Sequence, residues 1–431
     1  MYSDDSDHYS SDSYDGDETW LEQVRRIKED DPHTTRLRSL YEGDNDIMHN
    51  LTEEGWEQLG MDISNNTHLT AVDLGGDIND QMMSWLFRGL TRSSSINDMR
   101  LYRNGLSVGV RSMFPFLQNT NITYLDLGEN NIQSTGFNEL FRALRNTTME
   151  TLRVNTCNIE AIEIDSEHIP QNMKALYLYE NNINSGCCLE LAKLLKEENA
   201  TLQTLSLEDN KIDDEGVEIL IDALKSNTSL TNIYLTKNDG ISVKGMNSCL
   251  RLVNDISSIN ATLKSNHTLE SINVLGGNNV DITAQHIQSQ IDDASQINKE
   301  FQYDQDRVGN EKIIQTQLNS VKRKALADTQ GVSRSLYSEI DPMHLPEVLA
   351  LVGRRHGEGD LYVALKSSIA GVISTVNKMQ CLKQKRAHHE AMIAQHKTEL
   401  EKVEAEIVAI YEADGPSVGS EHRNSKRRRA W

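Results

Sequence analysis

Each of several things missing from this 431-residue chain removes a class of function. No apolar run approaches the roughly 20 residues of a membrane-spanning helix. The opening residues Met1-Tyr2-Ser3-Asp4-Asp5 have neither the basic cluster nor the apolar stretch of a secretory leader. Cysteine is sparse: Cys157, Cys187, Cys188, Cys249 and Cys381. That odd number, without metal-type spacing, reads as reduced thiols in an intracellular, cytoplasmic protein. Positive charge is in deficit, with 43 Lys and Arg against 65 Asp and Glu and a net charge of −22. Such a balance opposes general binding to DNA, RNA or anionic membranes. No motif joins Ser, His, Cys or carboxylates into a catalytic pairing, so neither an enzyme nor a cofactor is expected.

What is present is a repeat. Leu69–Asp77, Ile96–Asn104, Ile122–Asn130, Met149–Cys157, Met173–Asn181, Leu202–Asn210, Leu230–Asn238 and Leu269–Gly277 all read L-x-x-L-x-L-x-x-N with apolar substitutes. Successive starts lie 24 to 29 residues apart, except for a longer last gap. This spacing predicts a leucine-rich repeat, one strand and one helix per unit. The helical halves agree: Ile132, Gly136, Leu140 and Leu144 follow the third strand, and Ile212, Gly216, Leu220 and Leu224 follow the sixth. Four-residue steps put these side chains on one helix face, against the strand layer. Asn130, Asn181, Asn210 and Asn238 are expected to form an amide ladder at the strand exits. Asp77, Cys157 and Gly277 take the same place in their units, and Cys157 is given no redox role.

Three local departures stand out. The fourth unit holds Glu160–Asp165 where a long helix is due, so a brief turn or 3₁₀ segment is expected. The seventh is long, and Val243–Leu263 reads as one extended helix. Asn-x-Ser/Thr triplets at Asn65, Asn146, Asn199, Asn227 and Asn266 recur just before the strands, which favours a polar turn over glycosylation.

The flanks differ in composition. Residues 1–33 are acidic, Ser/Asp-rich and read as disordered, with helical turns near Trp20–Ile27. A half-unit opens the array, with a strand near Leu37–Leu40 and a helix near Glu53–Ile63. Residues 282–338 read as a polar helical linker, and 339–359 as a short helix with the loop Gly353–Gly359. Residues 360–412 read as a long helix, and 413–431 as a basic disordered tail with Lys426-Arg427-Arg428-Arg429. The long helix carries a heptad seam through Met379, Leu382, Arg386, His389, Ile393, His396, Leu400, Val403, Ile407 and Ile410. That seam either pairs with another chain, making a homo-oligomer, or packs back on Pro346–Ile369. The tail has the form of a nuclear import signal. His388, His389 and His396 lack the spacing of a metal site.

The units Leu125–Thr148 and Leu205–Leu230 resemble the ribonuclease-inhibitor-like class of leucine-rich repeats, because strand, Asn turn and helix all fit. The resemblance runs from Leu37 to Gly277, within an array assigned to 34–281. It implies an α/β fold, a right-handed leucine-rich-repeat horseshoe (solenoid), that binds a protein on its concave face. The helical, coiled-coil-like C-terminal extension is similar to the tails of repeat proteins from single-celled algae.

On a strand x-L-x-L-x, the residues between the buried ones face the concave side. Arg100, Tyr102, Tyr124, Arg153, Tyr177, Tyr179 and Tyr234 fall there, and Tyr and Arg are favoured at binding hot spots. Tyr also simply suits strands. The sequence therefore predicts a non-enzymatic scaffold or adaptor whose partner is a protein. The alternative is a regulator of a small GTPase resembling the Ran GTPase-activating protein, by analogy of fold. That family has its acidic stretch after the repeats, whereas here it precedes them.

Overall fold

Among the described residues, nine three-residue strands lie side by side in chain order. The computed structural model describes residues 19–313 apart from 40–47, 49, 77, 166, 168, 197–199, 258, 276–280, 305–306 and 310. It also describes 385–387, 389–392, 394–398 and 401–406. The strands are β1 (Arg36–Arg38), β2 (Ala71–Asp73), β3 (Asp98–Arg100), β4 (Tyr124–Asp126), β5 (Thr151–Arg153), β6 (Ala175–Tyr177), β7 (Thr204–Ser206), β8 (Asn232–Tyr234) and β9 (Ser271–Asn273). All neighbours are parallel, so Leu37, Val72, Met99, Leu125, Leu152, Leu176, Leu205, Ile233 and Ile272 form one buried row. Each such side chain contributes roughly 1.5–3 kcal/mol on burial. The residues on either side of that row mostly stay half-buried, so one sheet face packs on the core and the other is open.

Helices cover the packed face: α1 (Trp20–Lys28), α2 (Glu53–Asn65), α3 (Asp80–Gly89), a 3₁₀ turn (Val108–Met113) running into α4 (Phe114–Gln118), α5 (Gln133–Ala143), α6 (Ser185–Lys196), α7 (Asp214–Leu224), α8 (Val243–Val253), α9 (Ile259–Leu263) and α10 (Ile282–Glu300). Starts are set by side-chain caps, as in Asn79 accepting from Gln81 and Met82 N–H, and Asp213 accepting from Glu215 and Gly216 N–H. Helices α2 and α3 meet at Gly60 and Gly89. A Cβ on Gly60 would lie 2.2 Å from Leu86 O, so the close approach requires glycine.

The asparagine ladder is present. Asn130 is buried, and its Nδ2 donates to Leu101 O (2.8 Å), Leu127 O (2.9 Å) and Gly128 O (3.2 Å). Its Oδ1 accepts from Asn104 N–H (3.2 Å) and Leu106 N–H (3.1 Å). Asn104, Asn181, Asn210 and Asn238 donate in the same way. Arg103, Glu129, Thr156, Glu180, Asp209 and Lys237, each just before a ladder residue, are left-handed with φ of 52–57°. Asn227 and Asn266 are buried and bond to turn backbone, the polar-turn reading of those triplets.

Several expectations need correction. Val243–Leu263 is two helices. Asn254 leaves α8 at φ −155° and ψ 81°, and Thr262 Oγ1 donates to Asp255 O (2.7 Å), pinning a turn. Ile256 is exposed there, so no apolar stripe bridges the gap. The segment 1–33 holds α1, whose Trp20 and Ile27 are buried. Helical turns were expected near Trp20–Ile27, but the acidic composition around them gave no sign of this burial. Helix α10 belongs to the array's end, because Ile287, Ile291, Ala294 and Ile297 are buried beneath it.

A separate unit spans 317–431, and its described residues are helical and exposed. Arg386, His389, His396 and Val403 of the seam lie there, with Arg386 paired to Glu390 at 2.8 Å. The other seam positions, His388, the segment 1–18, Asp77, Gly277, the loop Gly353–Gly359 and the basic tail fall outside the described residues.

Candidate protein-binding face

The strand register stacks one open-face residue from every unit into a column. Read from β1 to β9 it is Arg38, Asp73, Arg100, Asp126, Arg153, Tyr177, Ser206, Tyr234 and Asn273. Neighbours are about 4.8 Å apart, the strand spacing. Charge therefore alternates across the first five strands and gives way to tyrosines over β6–β8. Asp98 and Tyr124 sit in the column one side of this, and Tyr102, Gly128 and Tyr179 in the column on the other.

The arginines are held within the sheet. Arg38 Nε is 3.1 Å from Asp73, and Arg100 grips Asp98 through Nε (3.1 Å) and Nη2 (3.0 Å). The Arg100 guanidinium also lies 4.8 Å over the Tyr124 ring. Arg153 stacks 4.5 Å over Tyr177, donates to Tyr179 Oη at 3.3 Å and stands 3.8 Å from Asp126. Cation–π contacts of this kind are worth about 0.5–2 kcal/mol as desolvation increases. Burial pushes the Asp73 carboxyl above the ordinary carboxylate range, although Arg38 and Arg100 pull it back. Burial does the same to Asp126, against the Gly128 N–H bond and Arg153. The Tyr179 phenol is also pushed up by burial, with Arg153 opposing.

The expected binding residues thus form two groups. Arg100 and Tyr124 make one, and Arg153, Tyr177 and Tyr179 the other. Tyr102 lies beside Gly75 on the neighbouring strand exit. Tyr234 is two strands from Tyr177, with buried Ser206 between them bonded to Glu208 at 2.6 Å. Strand alternation had already put Asp73, Asp98 and Asp126 on this face without choosing them as binding residues, and it had not placed Arg38 there. Their signal was position, since they occupy the same repeat columns as the residues chosen.

Arg38, Arg100 and Arg153 are met by Asp73, Asp98 and Asp126, and Arg36 on β1 adds one further positive charge near Asp73. What this part of the face offers a partner is aromatic area and guanidinium edges already fixed in place. Cys157 plays no reactive part, because burial pushes its thiol up to about 12. Among the described residues no group of three or more His, Cys, Asp and Glu could hold a metal ion, and no helix is long and apolar enough to cross a membrane.

Comparison with known proteins agrees with the repeat. A family model described as the PRAME C-terminal domain matches residues 113–303. NACHT, LRR and PYD domains-containing protein 5 of Homo sapiens is 28% identical over 197 residues, 44% of this chain and 16% of that protein. NACHT, LRR and PYD domains-containing protein 14 of Homo sapiens is 30% identical over 180 residues, 41% of this chain and 14% of that protein. The matched region is thus a small part of those relatives. A structural alignment to the Leiomodin-1 Actin-Binding Site 2 covers 68% of this chain and 98% of that one at 10% identity, but its TM-score of 0.17 carries no argument. Repeat pattern, parallel sheet and relatives together make this a leucine-rich-repeat protein.

Proposed function

We propose that this chain is a protein-interaction scaffold of the ribonuclease-inhibitor-like kind, which takes its partner on the open face of the sheet. The observation that carries the reading is the Arg153–Tyr177–Tyr179 cluster, a prearranged aromatic and guanidinium surface in the middle of that face. Side chains ordered before binding lose less entropy on association. Arg100 with Tyr124 extends the contact toward β3, and Tyr234 extends it toward β8. Because Arg100 and Arg153 are matched by Asp98 and Asp126, the partner is recognised here by shape and aromatic contact more than by net charge.

Replacing Tyr177, Tyr179 and Tyr234 together with Ala tests this. Hot-spot truncations cost about 2 kcal/mol or more. Capture of the principal partner should therefore weaken at least ~10-fold, with the circular dichroism spectrum intact. Undiminished capture would move the site off the sheet face. GTP hydrolysis by candidate small GTPases, with and without the chain, separates the scaffold from the GTPase-regulator alternative.

A further inference from the structure

Both outer edges of the sheet are occupied by the carboxamide of one glutamine. In β9, Ser271 N–H donates to Thr231 O (3.0 Å) and Asn273 O accepts from Leu235 N–H (2.7 Å), so these residues face β8. Strand alternation turns the backbone groups of Ile272 and Val274 to the outer edge. There Gln288 Nε2 donates to Ile272 O at 2.7 Å, and Oε1 accepts from Val274 N–H at 3.0 Å and Leu275 N–H at 3.2 Å. A tenth parallel strand would take the same carbonyl and amide.

The opposite edge is treated alike. Thr35 O accepts from Ala71 N–H (3.1 Å) and Ser39 N–H donates to Asp73 O (3.0 Å), which leaves Arg38 facing outward. Gln23 Oε1 accepts from Arg38 N–H at 2.9 Å, and its Nε2 donates to Arg38 O at 3.1 Å. Both glutamines are buried, and each sits on a helix anchored by apolar residues, α1 by Trp20 and Ile27 and α10 by Ile287 and Ile291. A buried carboxamide is costly unless donor and acceptor are both used. Here both are used, on strand backbone.

We propose that Gln23 and Gln288 are edge plugs that keep the β1 and β9 edges closed to a second copy of this chain. An unpaired strand edge is a template for another strand. Because the sheet is parallel and ordered in sequence, the β9 edge of one copy is complementary to the β1 edge of another. Their contact would repeat the relation of β8 to β9. Such a contact is head to tail and does not close on itself. Two like edges would instead have to meet antiparallel.

The test uses the full chain with Gln23→Met and Gln288→Met, which keep side-chain length and remove both bonds. The amide of Arg38 should exchange with deuterium faster in the first variant, and those of Val274 and Leu275 in the second. In sedimentation, each single variant should match the wild-type mass. An equimolar mixture of the two should form a 1:1 pair. The double variant should form chains that lengthen with concentration. If a Met variant does not fold, Gln23→Leu and Gln288→Leu likewise have neither donor nor acceptor, and the same measurements apply. Unchanged exchange, a mixture and double variant that sediment as wild type, or self-pairing of either single variant would each overturn the proposal. The outcome is independent of the open sheet face, since none of these variants touches its tyrosines.

Discussion

The fourth and sixth units have the same strand and differ in everything after it. In the sixth, Asn210 closes the turn with three donated bonds, to Leu178 O, Leu207 O and Glu208 O, and accepts from Ile183 N–H. Helix α7 follows, capped by Asp213. In the fourth, Cys157 stands at the ladder position, and its Sγ lies 3.2 Å from Leu127 O and 3.3 Å from Asn155 O. A thiol has one hydrogen to share between them and no carboxamide oxygen. Gln133 N–H of the preceding unit bonds instead to Cys157 O (2.9 Å), with Gln133 left-handed at φ 59°.

No α-helix follows Cys157 before β6 among the described residues; the chain from Asn158 runs irregularly between α5 and α6. Ile159, Ile162, Ile164 and Ile169 fill the space that a helix face would fill. Side chains of the flanking helices replace the missing helical hydrogen bonds. Ser134 Oγ accepts from Glu160 and Ala161 N–H, Asn138 Oδ1 from Glu163 N–H, and Glu190 from Ile164 N–H. Lys193 Nζ donates to Ile164 O at 3.0 Å. The difference shows that the strand and its turn define the repeat. The helix is replaceable wherever neighbours satisfy the backbone it would have satisfied.

The largest effect should come from Asn210→Ala. It leaves buried backbone groups without partners and should lower unfolding free energy by about 1–3 kcal/mol. Cys157→Ala removes one weak donor and should cost clearly less. Equal shifts in urea midpoint for the two would erase the contrast between the units.

A smaller effect is expected from the pair Ser134→Ala and Asn138→Ala, about 1 kcal/mol for each bond lost. Its signature is local. Amides of Glu160, Ala161 and Glu163 should exchange faster, with those of α7 unchanged. Uniform acceleration across both units would mean that the irregular segment is held by its isoleucines alone.

The third expectation concerns pH. Burial pushes the thiols of Cys157, Cys188 and Cys249 up to about 12. A free thiol titrates near about 8.5. Above that pH the unfolded chain loses protons that the native chain retains. Stability contributed by each thiol is therefore fully present below that value and declines as pH rises toward its folded pKa. Cys157→Ser should flatten the decline by one group's share. Iodoacetamide should label Cys157 only as fast as the chain opens, and rapid labelling of the native protein would contradict this burial.

Most of the strand layer was legible in the sequence, because the L-x-x-L-x-L-x-x-N spacing encodes both burial and turn. The short irregular stretch at Glu160–Asp165 was legible too, from too few residues for a helix. The ends were harder to read. Helical character was expected at Trp20–Ile27 and after Ile282, but their packing on the array was not, because acidic surroundings and a mostly polar surface hid the few buried apolar side chains. The break after Val253 was missed because spacing alone does not register where Asn254 turns. On the open face, Arg100 and Arg153 were legible as candidates. Asp98 and Asp126 were legible on the same face but not as their partners, since the Arg100–Asp98 and Arg153–Asp126 contacts depend on side-chain conformations that repeat spacing does not define.

The sequential order β1 to β9 also has a mechanical consequence. Each unit touches mainly its neighbours. Tension applied between Trp20 and Glu300 therefore loads the strand ladder as a zipper, one interface at a time. The stack should peel in steps of a single unit at low force, rather than shear as one block. The fourth unit, where side chains rather than a helix hold the outer layer, is where the outer layer's resistance changes along the pull.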